Sequence, residues 1–581
     1  MKHEINDEHG FQRYFPYRIV DDTCGIPDRD AVIDQYISGE LTDIERDAFD
    51  EHTFYCNTCF EALRFREELQ EIVETTDEQE PAIRPAAVSS RQHLGRQAKS
   101  WSWQLALIAF AAIALPAMYF LARFVFVSEV TSSGSETNAW GIALDSRNNS
   151  FITGEFDSTL FFDNQQLRSQ NGGDIFVAKF DPDGNNLWAK QTGGSGALSG
   201  QSGHNQGLGI TTDENNNLII TGGFIGEVDF DNIQLKSSGP NENLFIAKYT
   251  ENGEIRWISH ASGSYAVAGY DVAADAAGNV LVCGSFAHHN LGGTVMFDSV
   301  TIDTRGGNDI FVVKYNPDGK LQWVRTAGSA ATPGGDVARA IATDALGNVI
   351  IAGQFSGTAD FGSDTIKSVG SNDIFISKYD PDGNLISAVR AGGADRDEAH
   401  DLAVDAQNNI LVTGFYSGPE VFFSDSRLEK ALPTGDEINR NLFLAKYDPD
   451  CRLQWAIPVS GNFTRLAARG LTVDSDGNSF IIGHFTGQIR FPDSDIAFDS
   501  GNGDDVFIAK FNPEGLFSGA IQIEGDEDQF GMGIIADRRG DVFAVGSYRG
   551  KAQFDNTILI SLGGRNIFLT KIEALNFQYL P

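Results

Sequence analysis

The sequence predicts a multidomain chain: a small all-α bundle, one transmembrane helix and an all-β seven-bladed β-propeller. Three observations carry this. Residues 51–63, EHTFYCNTCFEAL, place His52, Cys56 and Cys59 at His-x3-Cys-x2-Cys spacing between helical segments. Residues 105–122, LALIAFAAIALPAMYFLA, run without a charge. From about residue 136 onward one unit recurs seven times. A chain of 581 residues exceeds what one hydrophobic core supports, so several domains are expected in any case.

In the first element, AVIDQYIS (residues 31–38) sets Val32, Ile33, Tyr36 and Ile37 at helical spacing, and Gly39 supplies a left-handed stop. Thr42 to Glu45 form a capping box that starts a second helix. If that helix persists, His52, Cys56 and Cys59 share one face. A third helix, FEALRFREELQEIV, follows. A closed structural zinc site takes four ligands, and Cys24, just ahead of the first helix, is the best fourth candidate. His3 and His9 are weaker ones. A domain this small gains from a metal staple. The expected zinc ligands are therefore Cys24, His52, Cys56 and Cys59, within a zinc-binding domain at residues 1–74. No βαβ pattern surrounds Cys56-x-x-Cys59, which speaks against a thioredoxin-like redox pair.

The stretch YISGELTDIERDAFDEHTFYCNTCFEAL resembles the zinc-finger domain of bacterial anti-sigma factors over about residues 24–74. The family typically shows a Gly-Glu-Leu turn, an acidic helix and His-x3-Cys-x2-Cys with an upstream Cys or His. The resemblance implies a helical module that wraps an extracytoplasmic-function sigma factor and hides its polymerase-binding surface. Residues 75–100, with Pro81, Pro85 and mixed charges, read as a disordered linker.

The second element is the membrane segment at residues 101–127. Eighteen uncharged residues at about 1.5 Å each reach roughly 27 Å, the hydrocarbon thickness of a bilayer. Trp101 and Trp103 stand at the interface, Arg123 can snorkel, and Phe124 to Val127 extend the apolar run. Arg91, Arg96 and Lys99 precede it, whereas Glu129, Glu136 and Asp145 follow. The positive-inside rule puts residues 1–100 in the cytoplasm and 128–581 outside, as expected of a single-pass protein of the bacterial inner membrane. Thiols and repeats thus occupy different compartments. The remaining cysteines, Cys283 and Cys451, stand far apart, so a secreted disulfide framework is not expected.

The third element fills residues 128–581. The first copy reads GIALD, NSFITGEF, then DIFVAKFDPDGNNLWAK, and later copies repeat the scheme with lysines at 179, 248, 314, 378, 446, 510 and 571. Each copy holds four strand-length runs joined by DPDG-like turns, in which Pro182 fixes φ and Gly184 accepts a positive one. One four-stranded sheet cannot bury both faces, and stacking around an axis solves that. The lysine spacing of 61 to 69 residues suits a propeller with variable loops. Closure is open: VFVSEVTSSG before the first copy looks like a stray outer strand, while NFQYL at the end could complete the seventh blade. The recurring Gly-x-aromatic (Phe156, Phe286, Phe355, Tyr416, Phe485, Tyr548) and the Asp/Asn-hydrophobic-Phe-x-x-Lys resemble SBBP-type bacterial propeller repeats, which implies a fold and little about ligand.

Chemistry is sparse in the repeats. A lysine in every blade reads as a structural contact, Asp181 and Asp183 lack the oxygens of a dedicated calcium site, and His288 and His289 sit side by side in a loop. No Ser/His/Asp constellation stands out. In DPDC, Cys451 replaces the turn glycine without an evident reason. The net charge of −37 excludes direct nucleic-acid binding in the absence of a basic face. The sequence therefore points to a non-enzymatic regulator that sequesters a sigma factor inside and binds an envelope ligand outside. The alternative is a membrane-anchored scaffold or adhesion protein whose propeller binds protein or glycan.

Overall fold

The computed structural model describes residues 124–577 apart from short stretches, the longest at 195–204 and 430–439. The expected zinc ligands Cys24, His52, Cys56 and Cys59, residues 101–123 of the membrane segment, and His288 and His289 lie outside the described residues. Among the described residues no helix is long and apolar enough to cross a membrane.

The described chain is all-β. Four antiparallel strands, a to d, form each blade: in blade 1 they are Thr137–Leu144, Ser150–Phe156, Asp174–Phe180 and Asn186–Thr192. The innermost strands begin the blades at Thr137, Gln206, Val267, Val337, Asp397, within Leu453–Val473, and at Gln529. Each touches the next, and the seventh touches the first, so the ring closes at seven blades. Strands b and c are buried almost throughout; in blade 1 every residue of Ser150–Phe156 and Asp174–Phe180 is buried. Both faces of each blade meet a neighbouring blade, which is why these strands read as continuous apolar runs rather than as alternation.

The closing strand comes from the front of the repeat region. Phe124–Ser132 pairs antiparallel with Asn566–Ile572, the c strand of blade 7, in the register Val130↔Ile567 and Phe126↔Lys571. Phe124–Val127, expected as the tail of the membrane segment, therefore lie in a strand. Thr570 Oγ1 donates to the Phe126 carbonyl at 2.7 Å, and the amide of Ser132 donates to Asn566 Oδ1 at 2.9 Å. Of the C-terminal NFQYL, the described Asn576 and Phe577 lie in a single 3-10 turn, Ala574–Phe577, and not in a strand; the rest lies outside the described residues.

A feature beyond the expected four strands is a hairpin between b and c. It leaves its own blade and pairs with the outer strand of the preceding one, as in Thr131↔Phe161, Ala261↔Phe297, Gly328↔Asp360, Ala391↔Phe423 and Glu524↔Gln553. Seven exposed edges are thereby covered. Each hairpin also sends a phenylalanine inward against the c strand: the ring centroids of Phe230 and Phe245 are 5.2 Å apart, and those of Phe423 and Phe443 4.9 Å. The abundance of phenylalanine reflects this repeated pair.

Candidate functional site

Two sets of recurring residues could carry function: the lysines, and the side chains on the inner strands. The lysines prove to be interblade ties. The a–b turn of each blade opens on an aspartate whose carboxylate caps it. Asp344 Oδ1 accepts from the amides of Leu346 (3.0 Å) and Asn348 (2.9 Å), and Oδ2 from Asn348 Nδ2 (2.7 Å). The c-strand lysine of the same blade reaches that carboxylate, at 2.8 to 3.4 Å for the pairs Lys179–Asp145, Lys248–Asp213, Lys314–Asp275, Lys378–Asp344 and Lys446–Asp405. In blade 7, Lys571 pairs with Asp541, which stands where the other six turns carry asparagine.

The same ammonium crosses to the next blade. Lys314 Nζ donates to the Pro381 carbonyl (3.2 Å), Lys378 to Pro449 (2.9 Å) and Lys446 to Pro513 (3.5 Å), each in the following DPDG-like turn. Lys510 donates to Ala574, so the terminal 3-10 turn substitutes for the turn that blade 7 lacks. Burial works against the Asp344 carboxylate, but hydrogen bonds from Lys378 and Asn348 and the lysine charge hold it below the usual range. These amines serve structure. Asp181, which was not expected to hold calcium, caps its own turn: its Oδ1 accepts from the amides of Asp183 and Asn185, and its Oδ2 from Asn185 Nδ2.

The DPDG glycine is explained by what lies over it. A Cβ on Gly319 would sit 2.6 Å from Trp257 of the preceding blade, one on Gly383 2.9 Å from Trp323, and one on Gly515 3.0 Å from Trp455. In front of Cys451 the preceding blade carries Ser387 instead of tryptophan, paired with Lys378 as the tryptophans are with their lysines. The thiol fills the space the indole would take and is hydrogen-bonded to Ser387; burial pushes its pKa up.

The inner strands are different. Every one carries a bulge: its register with strand b skips one residue, as between Ala139 and Gly141. The residue before the skip faces the preceding blade, since a Cβ on Gly269 would strike Thr221. The residue after it faces the following blade, since one on Gly209 would strike Asp271. The skipped residue faces neither and projects toward the axis. The bulge also presses a carbonyl onto strand b, where a Cβ on Gly154 would lie 1.9 Å from the Asn138 oxygen; this is the cause of the Gly in Gly-x-aromatic.

The axial residues are Trp140, Leu208, Tyr270, Arg339, His400, Arg469 and Met532, in blade order. The Arg339 guanidinium lies 5.0 Å from the ring centroid of Tyr270 in the preceding blade, and His400 Nδ1 is 2.7 Å from the Ala468 carbonyl of the following one. His400 Nε2 is 3.5 Å from Glu398, which also pairs with Arg396. Burial lowers the His400 pKa despite that carboxylate. Beside the ring, the half-buried Asp271 and Asp401 face the next blade, accepting from the amides of Ile341 (2.9 Å) and Leu471 (2.6 Å). Burial raises the Asp271 pKa to about 7, and burial with the Asp271 charge raises that of Asp401 well above the usual range. Among the described residues no group of three or more His, Cys, Asp and Glu could hold a metal ion.

The fold thus defines a seven-bladed β-propeller. No protein-family model matches the chain. An uncharacterised WD repeat-containing protein, L264, of Acanthamoeba polyphaga mimivirus is 23% identical over 364 residues, covering 53% of this chain. The chain matches only 26% of that relative's length. Among solved structures, a virginiamycin B lyase from Staphylococcus aureus is similar at a TM-score of 0.36 and 9% identity, covering 77% of this chain and 99% of its own. A lignostilbene dioxygenase from Pseudomonas brassicacearum is similar at 0.32 and 12%, covering 78% and 92%. At such scores neither likeness adds to the topology read from the strand pairing, and neither bears on chemistry.

Proposed function

We infer that the chain is a membrane-anchored propeller scaffold that binds a protein or glycan ligand outside the cell, and is not an enzyme. The observation that carries this reading is the contrast between two sets of repeated positions. Lysine, turn aspartate and strand-b glycine recur because closure demands them, whereas the axial position varies among apolar, aromatic and basic residues. A position freed from repetition within a rigid ring is where a binding specificity can be written. The axial His400 is engaged with Glu398 and a carbonyl, and Glu398 in turn with Arg396, which suits recognition better than proton transfer. SBBP-type repeats fit this reading. Capture of envelope fractions on the full-length chain tests it: recovery of the same protein or glycan, lost on substitution in the axial ring or at its rim, supports it. Turnover of a small substrate by the purified chain overturns it.

The second reading, favoured by His52-x3-Cys56-x2-Cys59 and the upstream Cys24, makes the scaffold the outer half of an anti-sigma-like regulator. Zinc bound by these four residues would staple the cytoplasmic module that holds the sigma factor, with the propeller reporting on the envelope. Residues 1–80 containing stoichiometric zinc that Cys56→Ser abolishes, together with a sigma factor co-purifying from membranes, would support it. A zinc-free module, or membranes that never yield a sigma factor, would remove it.

A further inference from the structure

The axial residues divide into two continuous arcs. Met532, Trp140, Leu208 and Tyr270, from blades 7, 1, 2 and 3, are apolar or aromatic. Arg339, His400 and Arg469, from blades 4, 5 and 6, are basic types. In a chain carrying −37, two arginines brought to one ring stand against the overall charge. Arg469 is exposed, and Arg339 is partly so. Two donors in this ring are buried without a hydrogen-bond acceptor: Arg339 Nε and Trp140 Nε1. Gln354 Oε1, on strand b of blade 4 and opposite Val337, is a buried acceptor in the same condition. Buried donors left without acceptors are costly, and one explanation for their persistence is an acceptor that arrives with a ligand.

The carboxylates nearby do not supply that acceptor. Glu398 is engaged by Arg396 and His400, and although it also feels the Arg339 charge it accepts no hydrogen bond from Arg339 Nε. Asp271 and Asp401 each accept two backbone amides.

We propose that the axial ring binds an organic carboxylate with a flat apolar body, the carboxylate between Arg339 and Arg469 and the body against Trp140, Leu208 and Tyr270. This goes beyond the scaffold reading, adding a small-molecule ligand in the axial ring to the protein or glycan bound outside the cell. A guanidinium offers paired donors that match a carboxylate, and aromatic faces accept a flat body at low entropic cost.

Calorimetric titration of the full-length chain with phenylacetate, 2-phenylethanol and inorganic phosphate tests it. Phenylacetate should bind, with the neutral alcohol and bare phosphate each at least about tenfold weaker, because charge and apolar contact are both required. Arg339→Gln should weaken phenylacetate about tenfold or more, Arg339→Lys should recover part of the loss, and the thermal midpoints should stay close to the parent's. Equal affinity for acid and alcohol, or unchanged phenylacetate binding in Arg339→Gln, would overturn the proposal. If no probe binds while envelope capture still succeeds, the carboxylate site falls and the scaffold reading stands.

Discussion

Lys378 Nζ lies 2.9 Å from Asp344 Oδ2 in its own blade and 2.9 Å from the carbonyl oxygen of Pro449 in the next. One buried ammonium thus ties a turn to its neighbour. Such a group is stable only while both partners stay, since taking away one leaves a charge or a donor stranded in the interior.

For this tie, Lys378→Met should cost about 3–5 kcal/mol in an unfolding titration, the usual penalty for breaking a buried pair. Asp344→Ala should cost at least as much, because it also strips the turn of its cap. An exposed pair such as Lys236–Glu227, by contrast, should give less than about 1 kcal/mol when removed. Similar losses at the two sites would show that the lysine is not a tie.

The Cys451–Ser387 interface predicts a compensating pair. Ser387→Trp alone should destabilise, because the indole enters the volume of the Cys451 side chain. Adding Cys451→Gly recreates the Trp–Gly arrangement of the neighbouring interfaces and relieves the positive φ of 61° at Cys451. The double variant should regain most of the lost stability, giving a coupling of about 1–3 kcal/mol in a double-mutant cycle. Strict additivity would contradict this packing.

Asp271 predicts an unusual pH response. Its folded pKa, raised to about 7 by burial, exceeds the unfolded value near 4, so the folded state binds the extra proton between them. The sign is that of a destabilising group: stability falls as pH rises through this window. Asp271→Asn removes the titration, so its stability relative to the parent should be more favourable at pH 8 than at pH 5. A pH-independent difference would place the Asp271 pKa back in the ordinary carboxylate range.

Much of the propeller was legible in the sequence, because two-sided burial writes DIFVAKF-like runs and turn aspartates plainly. The lysine's structural role was readable, but its partners were not, since the turn carbonyl it reaches lies about seventy residues further along the chain. The inner-strand bulge left only an indirect trace, the Gly in Gly-x-aromatic, because an extra residue does not disturb an apolar pattern that short. Hence Trp140, Arg339, His400 and Arg469 went unremarked. Phe124 to Val127 misled because a half-buried outer strand and the end of a membrane span both read as apolar runs. Cys451 left no readable signal because its counterpart, Ser387, belongs to the preceding blade.

Ring closure by Phe124–Ser132 is the claim on which the ties, the axial ring and the proposed site all depend. Thermal unfolding of a chain beginning at residue 124, set beside one beginning at residue 134, tests it most directly. The longer chain should unfold in one cooperative transition, while the shorter, with the edge of Asn566–Ile572 bare, should melt well below it or aggregate. Two chains melting together at the same temperature would contradict the closed seven-bladed ring.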